Sequence, residues 1–266
     1  MTSSTAVSEA APQGRVDAAI RQAAARSGVD FGYLYNQARV ESGLNPNAKA
    51  RTSSATGLFQ FLDQTWLATI DKHGAANGLG WAANAVQRGA NGRYFVGDPQ
   101  LKQQVMNLRR DPAAASAMAA EFAKDNQAHL QSRLGRPLQS VDLYMAHFLG
   151  AGGATRFLKA HDARPGASAA ASFPEQARAN RSIFFKRDGN PRSFAEVRNM
   201  MAAKLSIGGR SVGMQASAVR TAPAAQPAPP PLDLAALETG STMQPTVALA
   251  PRYARLAYLM LAELGA

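Results

Sequence analysis

The sequence predicts a mainly α-helical, all-α protein, and three observations carry that expectation. Alanine dominates while valine and isoleucine are sparse, a balance that favours helix over sheet. Apolar residues recur at intervals of three and four in segment after segment. Helix-start and helix-stop signals, among them Asp98-Pro99, Asp111-Pro112, Gly135 and Gly150, punctuate those segments. At 266 residues and 46% hydrophobic content, the chain can form one large domain with a real core plus extensions.

Residues 1–13 are small and polar and are expected to be disordered. Val16, Ala19, Ile20 and Ala23 predict a short amphipathic helix over 14–27, stopped at Gly28. Asp30 is a ready N-cap for the next helix, in which Phe31, Leu34, Tyr35 and Ala38 recur at helical spacing. Glu41 continues that apolar stripe, Gly43 supplies the C-cap and Pro46 forbids further helix. A carboxylate on a face that should be buried is costly to ionise, which suits a general acid working near neutral pH. On this stretch alone, a charged residue fraying at a helix end accounts for Glu41 equally well.

Asn45-Pro46-Asn47 is turn chemistry, residues 51–57 are a polar loop, and Gly57-Leu58-Phe59-Gln60-Phe61-Leu62 returns to apolar residues with one Gln embedded. A buried Gln has to be hydrogen-bonded. Gln60 either marks a strand edge or helix start, or positions a polar ligand beside Glu41. Helix resumes over 65–70 and stops around His73-Gly74. Residues 74–97 are Gly- and Asn-rich, a minor loop or β-hairpin region with Trp81, Tyr94 and Phe95. Such aromatics more often anchor a loop than stack on sugar faces.

Asp98-Pro99 opens a helix through Leu101, Val105, Met106 and Leu108. Asp111-Pro112 opens a long Ala-rich helix to about Leu134, with Met118, Phe122, Ala123 and Leu130 facing inward. Ser140 is expected to start a helix through Leu143, Tyr144, Ala146, His147 and Phe148 that ends at Gly150. Gly152-Gly153 then break it, and 154–160 form a further short helix. Residues 164–173 read as a loop and 174–179 as a short helix; the capping box Ser193-Phe194-Ala195-Glu196 opens a helix ending near Leu205. The expected organisation is one domain over 14–206, a flexible Pro/Ala-rich linker over 207–250, and an amphipathic helix over 251–266 carrying Tyr253, Leu256, Met260 and Leu264 on one face. That last helix is too short to span a bilayer and lacks a basic face, so docking back on the domain or binding a protein partner is expected of it.

Net charge is +11, from 29 Lys and Arg against 18 Asp and Glu. Such a surface favours polyanions, but the basic residues are scattered and no nucleic-acid motif accompanies them, so no nucleic-acid partner is expected. The absence of cysteine removes thiol nucleophiles and thiolate metal sites, and His73, His129, His147 and His161 show no metal-binding spacing. No metal and no cofactor are expected. No transmembrane segment and no signal-peptide core are recognisable.

Three pieces combine into a constellation. Glu41-Ser42 ends a helix, Gly57-Leu58-Phe59-Gln60 places its Gln nineteen residues after the Glu, and Ala146-His147-Phe148-Leu149-Gly150 follows on a later helix. This order resembles the soluble lytic transglycosylase domain of the lysozyme superfamily, which shows Glu-Ser, Gly-Leu-Met-Gln and Ala-Tyr-Asn-x-Gly motifs in that sequence. The resemblance covers about residues 14–160. It implies a lysozyme-like transglycosylase domain acting on peptidoglycan glycan strands in the cell envelope or periplasm. In that reading Glu41 is the single catalytic acid/base, cleaving the bond between N-acetylmuramic acid and N-acetylglucosamine to leave a 1,6-anhydromuramic end. Ser42 and Gln60 would line the subsites, and Gly57 would let the backbone approach the glycan. The third motif departs from the family: His147 stands where Tyr is usual and Phe148 where Asn is usual. The family's Tyr hydrogen-bonds the catalytic Glu; here His147, or Tyr144 one turn earlier, is the candidate donor.

Between Phe31 and Gly97 the only acids are Glu41, Asp63 and Asp71. A two-carboxylate glycosidase needs a second acid across the bond. Asp63, which reads as a helix cap, is the candidate for the alternative of a hydrolytic muramidase. A third reading is a non-catalytic peptidoglycan-binding assembly component.

Overall fold

The computed structural model describes residues 12–51 and 53–206. The linker over 207–250, the terminal helix over 251–266 and the tail up to residue 11 lie outside the described residues. The described chain is mainly α, as its composition predicts, with one small hairpin.

Helix α1 (Pro12–Ser27) leads through Gly28 into α2 (Phe31–Ser42). Asp30 caps α2 by accepting the Tyr33 amide hydrogen at 2.7 Å, and Gly43 closes it in the left-handed conformation. The buried face of α2 is Tyr33, Leu34, Gln37, Ala38, Glu41 and Ser42. The expected stripe is therefore right at Leu34, Ala38 and Glu41 and rotated at its edge. Phe31 and Tyr35 are only half-buried because they pair with each other at the rim, with the Arg21 guanidinium 4.6 Å above the Phe31 ring.

Helix α3 (Asp63–His73) follows a buried turn, and α4 (Gly80–Ala85) leads into the antiparallel hairpin β1 (Gln87–Arg88) and β2 (Tyr94–Phe95). Of the aromatics in this region, Tyr94 packs against the core and anchors the hairpin, whereas Trp81 is 38% and Phe95 44% exposed. A side chain fastens the same residue: the Gln64 carboxamide donates to the Tyr94 carbonyl at 2.8 Å and accepts from the Tyr94 amide at 2.9 Å.

Asp98 and Asp111 cap α5 (Pro99–Asn107) and α6 (Pro112–Leu134), each with proline in the first turn. Val105 is the buried residue of α5, whereas Leu101 stays at the surface. Helix α6 is the spine of the fold: α1, α3 and α7 pack on it. Its buried alanines 114, 115, 119, 120 and 123 allow close approach of those neighbours, while Met118 and Leu130 fill the gaps between them.

Helix α7 spans Ser140–Ala163 with a break at Gly150, whose φ of 71° and ψ of 161° are open only to glycine. The helix restarts at once. Gly152 and Gly153 lie inside its second half rather than interrupting it, and Gly153 is buried. The N-cap is Gln139, not Ser140, in a capping box with Asp142. The expected loop over 164–173 contains a single turn of helix, α8 (Ala169–Ser172), and α10 (Arg181–Phe184) follows α9 (Pro174–Ala179). Helix α11 (Phe194–Ser206) packs on α7 and α2, and its Ser193–Glu196 capping box forms as expected. Phe157, Phe173 and Phe194 close this end of the core edge to face, with Phe157 and Phe194 centroids 5.0 Å apart.

One ionic clasp ties α7 to α11. Asp142 is fully buried and accepts from Arg136 at 2.8 Å, from Arg198 at 2.8 Å and from the Gln139 amide at 3.0 Å. Burial alone would raise its pKa, but the two guanidinium groups and the amide outweigh that and hold it below the usual carboxylate range. Its contribution to stability is therefore full at neutral pH and is lost as pH falls through the depressed folded-state value. Asp142→Asn should cost about 3 kcal/mol in urea unfolding at pH 7, since it leaves Arg198 inside with half its partners. The gap to the parent protein should narrow as the medium is acidified; a constant gap would assign the loss to packing instead.

Candidate active site

The site is built where the end of α2 meets the first half of α7. Glu41 lies on the last turn of α2 and is 4% exposed. Tyr144 donates its hydroxyl to Glu41 Oε1 at 3.2 Å, and His147 Nε2 stands 3.3 Å from the same oxygen. The rings of Tyr144 and His147 lie nearly parallel, 12° apart, because three residues separate them on one helical face. Both groups therefore converge on Oε1, and among the described residues no hydrogen bond reaches Oε2. Of the two donors weighed from the sequence, Tyr144 hydrogen-bonds the carboxylate and His147 comes within 3.3 Å of the same oxygen.

Further groups complete the surroundings. Burial and the neighbouring Glu41 carboxylate raise the Tyr33 and Tyr144 phenols well above the ordinary tyrosine value, so both remain O–H donors at neutral pH. Burial lowers the Lys204 ammonium, with Glu41 acting in the opposite direction, so α11 brings a cation within electrostatic reach of the carboxylate. Gln37, one turn before Glu41, contacts the far side of His147: its Nε2 lies 3.0 Å from His147 Nδ1. Among the described residues no group of three or more His, Asp or Glu side chains is placed to hold a metal ion.

The second segment, Ala55 to Leu62, is buried along its whole length. Ser42 and Gln60 are directed into it. The Ser42 hydroxyl has one hydrogen and two carbonyls in reach, Leu58 at 2.8 Å and Ala38 at 2.9 Å. The Gln60 carboxamide nitrogen donates to the Gly57 carbonyl at 2.9 Å and the Ala48 carbonyl at 3.2 Å. Gln60 adopts φ 49°, uncommon for a non-glycine residue, and these bonds hold it there. Ser42 thus joins the end of α2 to the turn, and Gln60 closes the turn on itself.

Gly57 takes φ 84°, and a Cβ on it would lie 1.8 Å from the Arg109 carbonyl oxygen. The close approach that requires glycine here is therefore to this chain's own backbone. Arg109 is buried beneath the turn. Its Nη1 donates to the Ser54 and Phe61 carbonyls, both at 3.0 Å, and pairs with Asp63 at 2.7 Å. Burial lowers the guanidinium pKa, partly offset by Asp63. Asp63 is the first residue of α3 rather than its N-cap, which is Leu62, and its side chain is engaged by Arg109.

Tyr33, Gln37, Arg109 and Lys204 do not stand out in the sequence as site residues. Gln37 had a signal, since it lies four residues before Glu41 on the same helical face. Arg109 and Lys204 reach the site from far along the chain, and no local pattern marks them.

Residues 18–77 match the family model described as the transglycosylase SLT domain, consistent with the lysozyme-like superfamily. The match runs from α1 past α3 and contains Glu41, Ser42, Gly57 and Gln60, while Tyr144 and His147 lie beyond it. It supports peptidoglycan-lytic activity of the transglycosylase and lysozyme kind in general, with peptidoglycan of the cell envelope as the substrate class. No helix among the described residues is long and apolar enough to cross a membrane.

Gly57→Ala should destabilise the protein by at least about 2 kcal/mol, combining strain at positive φ with displacement of the Arg109 carbonyl. Denaturant unfolding checks this, and a cost below about 0.5 kcal/mol would mean that the turn and Arg109 separate freely.

Proposed function

We propose that this protein is a peptidoglycan lytic transglycosylase in which Glu41 is the single acid/base. The observation that carries the reading is the pairing of Tyr144 and His147 on one oxygen of a buried glutamate, within a chain whose residues 18–77 match the transglycosylase SLT domain. The Tyr144 hydroxyl on Oε1, with the His147 imidazole beside it, favours negative charge there and leaves Oε2 to carry the proton. Glu41 protonates the glycosidic oxygen between N-acetylmuramic acid and N-acetylglucosamine as the bond to C1 breaks. The resulting carboxylate takes the proton from the muramic 6-hydroxyl as that oxygen attacks C1. The proton returns to Glu41, no water enters, and the product ends in a 1,6-anhydromuramic residue.

The remaining residues act in support. Tyr144 and His147 orient the carboxylate and border the substrate. Ser42 and Gln60 shape the buried turn beside α2 through side-chain bonds to backbone carbonyls, and Gly57 through its close approach to Arg109, rather than by offering free side-chain groups.

A hydrolytic muramidase using Glu41 and Asp63 is the second reading. Against it stands the engagement of Asp63 by Arg109 at 2.7 Å, which ties that carboxylate to the loop beneath the turn. A non-catalytic peptidoglycan-binding component would bind glycan and release nothing.

Digestion of purified peptidoglycan should release muropeptides one water lighter than hydrolytic products, read by mass. Glu41→Gln should lower the rate by at least about a thousandfold, since it removes the proton that the leaving oxygen needs. Tyr144→Phe, which removes the hydroxyl bonded to Oε1, should cost about tenfold. Full turnover in Glu41→Gln would remove Glu41 from the mechanism, and reducing-end products alone would favour the muramidase.

A further inference from the structure

We propose that Gln37 is a positioning residue that holds His147 in its neutral Nε2–H tautomer, so that the imidazole turns an N–H rather than a positive charge or a lone pair toward the Glu41 carboxylate 3.3 Å away. The inference rests on the reading of Glu41 as acid/base and extends it to a residue outside the three motifs.

The geometry is a three-membered chain across the α2–α7 contact. Gln37 Nε2 lies 3.0 Å from His147 Nδ1, and His147 Nε2 lies 3.3 Å from Glu41 Oε1. Gln37 and Glu41 are one turn apart on the buried face of α2, so one helix presents both the group that sets the imidazole and the carboxylate that its Nε2 approaches. A carboxamide N–H directed at Nδ1 requires a lone pair there, and a neutral imidazole with a lone pair on Nδ1 carries its hydrogen on Nε2. The same N–H opposes the imidazolium, which would set hydrogen against hydrogen. The other neutral tautomer would turn a nitrogen lone pair toward Oε1, an oxygen that already accepts from Tyr144.

The surrounding charges point the same way. Tyr33 from α2, Tyr144 from α7 and Lys204 from α11 lie within electrostatic reach of Glu41. A cation on His147 would favour the ionised carboxylate, the wrong form for the acid step. Gln37 Oε1 is buried with no partner among the described residues, so the carboxamide gives up an acceptor bond in presenting its nitrogen to the ring.

The test is long-range nitrogen–proton NMR of the imidazole rings in the full chain, with Gln37→Glu and Gln37→Leu alongside. At pH 7 the parent His147 should be neutral with its proton on Nε2. Gln37→Glu offers Nδ1 an acceptor in place of a donor and should raise the His147 titration midpoint by about one pH unit or more. The same variant should lose at least about tenfold in kcat on peptidoglycan near neutral pH, with the loss deepening toward acid as the imidazolium forms. Gln37→Leu should leave a mixture of tautomers and a smaller loss. Circular dichroism and the unfolding midpoint identify any variant that fails to fold, and the parent spectrum alone still decides. An Nδ1–H tautomer or an imidazolium in the parent protein at pH 7 would overturn the proposal, as would a His147 midpoint unmoved in folded Gln37→Glu. If the parent protein cleaves no glycan yet shows the Nε2–H tautomer, the Gln37–His147 pair stands and the acid/base reading of Glu41 falls.

Discussion

A glutamate side chain enclosed at the end of a helix has to find hydrogen-bond partners, because burying it without them costs several kcal/mol. For Glu41 the contacts come from another helix and act on one oxygen: the Tyr144 hydroxyl donates to Oε1, and His147 Nε2, also on α7, lies 3.3 Å from it. The relative placement of α2 and α7 therefore decides whether the site exists. Much of the remaining fold serves that placement. Helix α6 supports both helices, α11 packs across both, and the buried Asp142 joins the start of α7 to α11 through Arg198. The break at Gly150 comes directly after the Tyr144–His147 turn, so the site-bearing half of α7 is a separate straight segment.

The second structural requirement is the buried turn after Gly57. Eight consecutive residues without solvent contact need their backbone groups satisfied from within. Ser42 supplies a donor from α2, Gln60 from inside the turn and Arg109 from beneath it. Arg109 also occupies the Asp63 carboxylate. Of the two carboxylates weighed for catalysis, the architecture leaves Glu41 buried against Tyr144 and His147 and ties Asp63 to a structural cation. That asymmetry is what favours a mechanism in which the sugar provides its own nucleophile over one that needs two protein carboxylates.

Features with a local physical cause were legible in the sequence. Asp30, Asp98 and Asp111 cap their helices because a short side-chain oxygen reaches the first free amides, and Gly43 and Gly135 close theirs in the left-handed conformation. Glu41 falls on the buried stripe because helical spacing alone puts it there. Features that depend on what packs against a segment were not. Phe31 and Tyr35 have the right spacing but pack at the rim of the core, paired with each other and, at Phe31, covered by Arg21. Gly152-Gly153 looked like a helix break, yet the break falls at Gly150, at a positive φ open only to glycine, and the next turn winds on. Gly57 reads in the sequence as room for a ligand, while the structure fills that room with the Arg109 carbonyl. The pairing of Gln37 with His147 spans 110 residues, and no pattern within either segment announces it.

The proposal that Glu41 works alone, with the substrate as its own nucleophile, is tested most directly by isotope transfer. Purified peptidoglycan is digested with this protein in water enriched in oxygen-18, and the released muropeptides are weighed. Intramolecular attack by the 6-hydroxyl brings in no solvent oxygen, so products formed by a lytic transglycosylase should carry no label. Stoichiometric label at the new muramic ends would mean that water attacks C1, and would contradict the single-carboxylate account of this site.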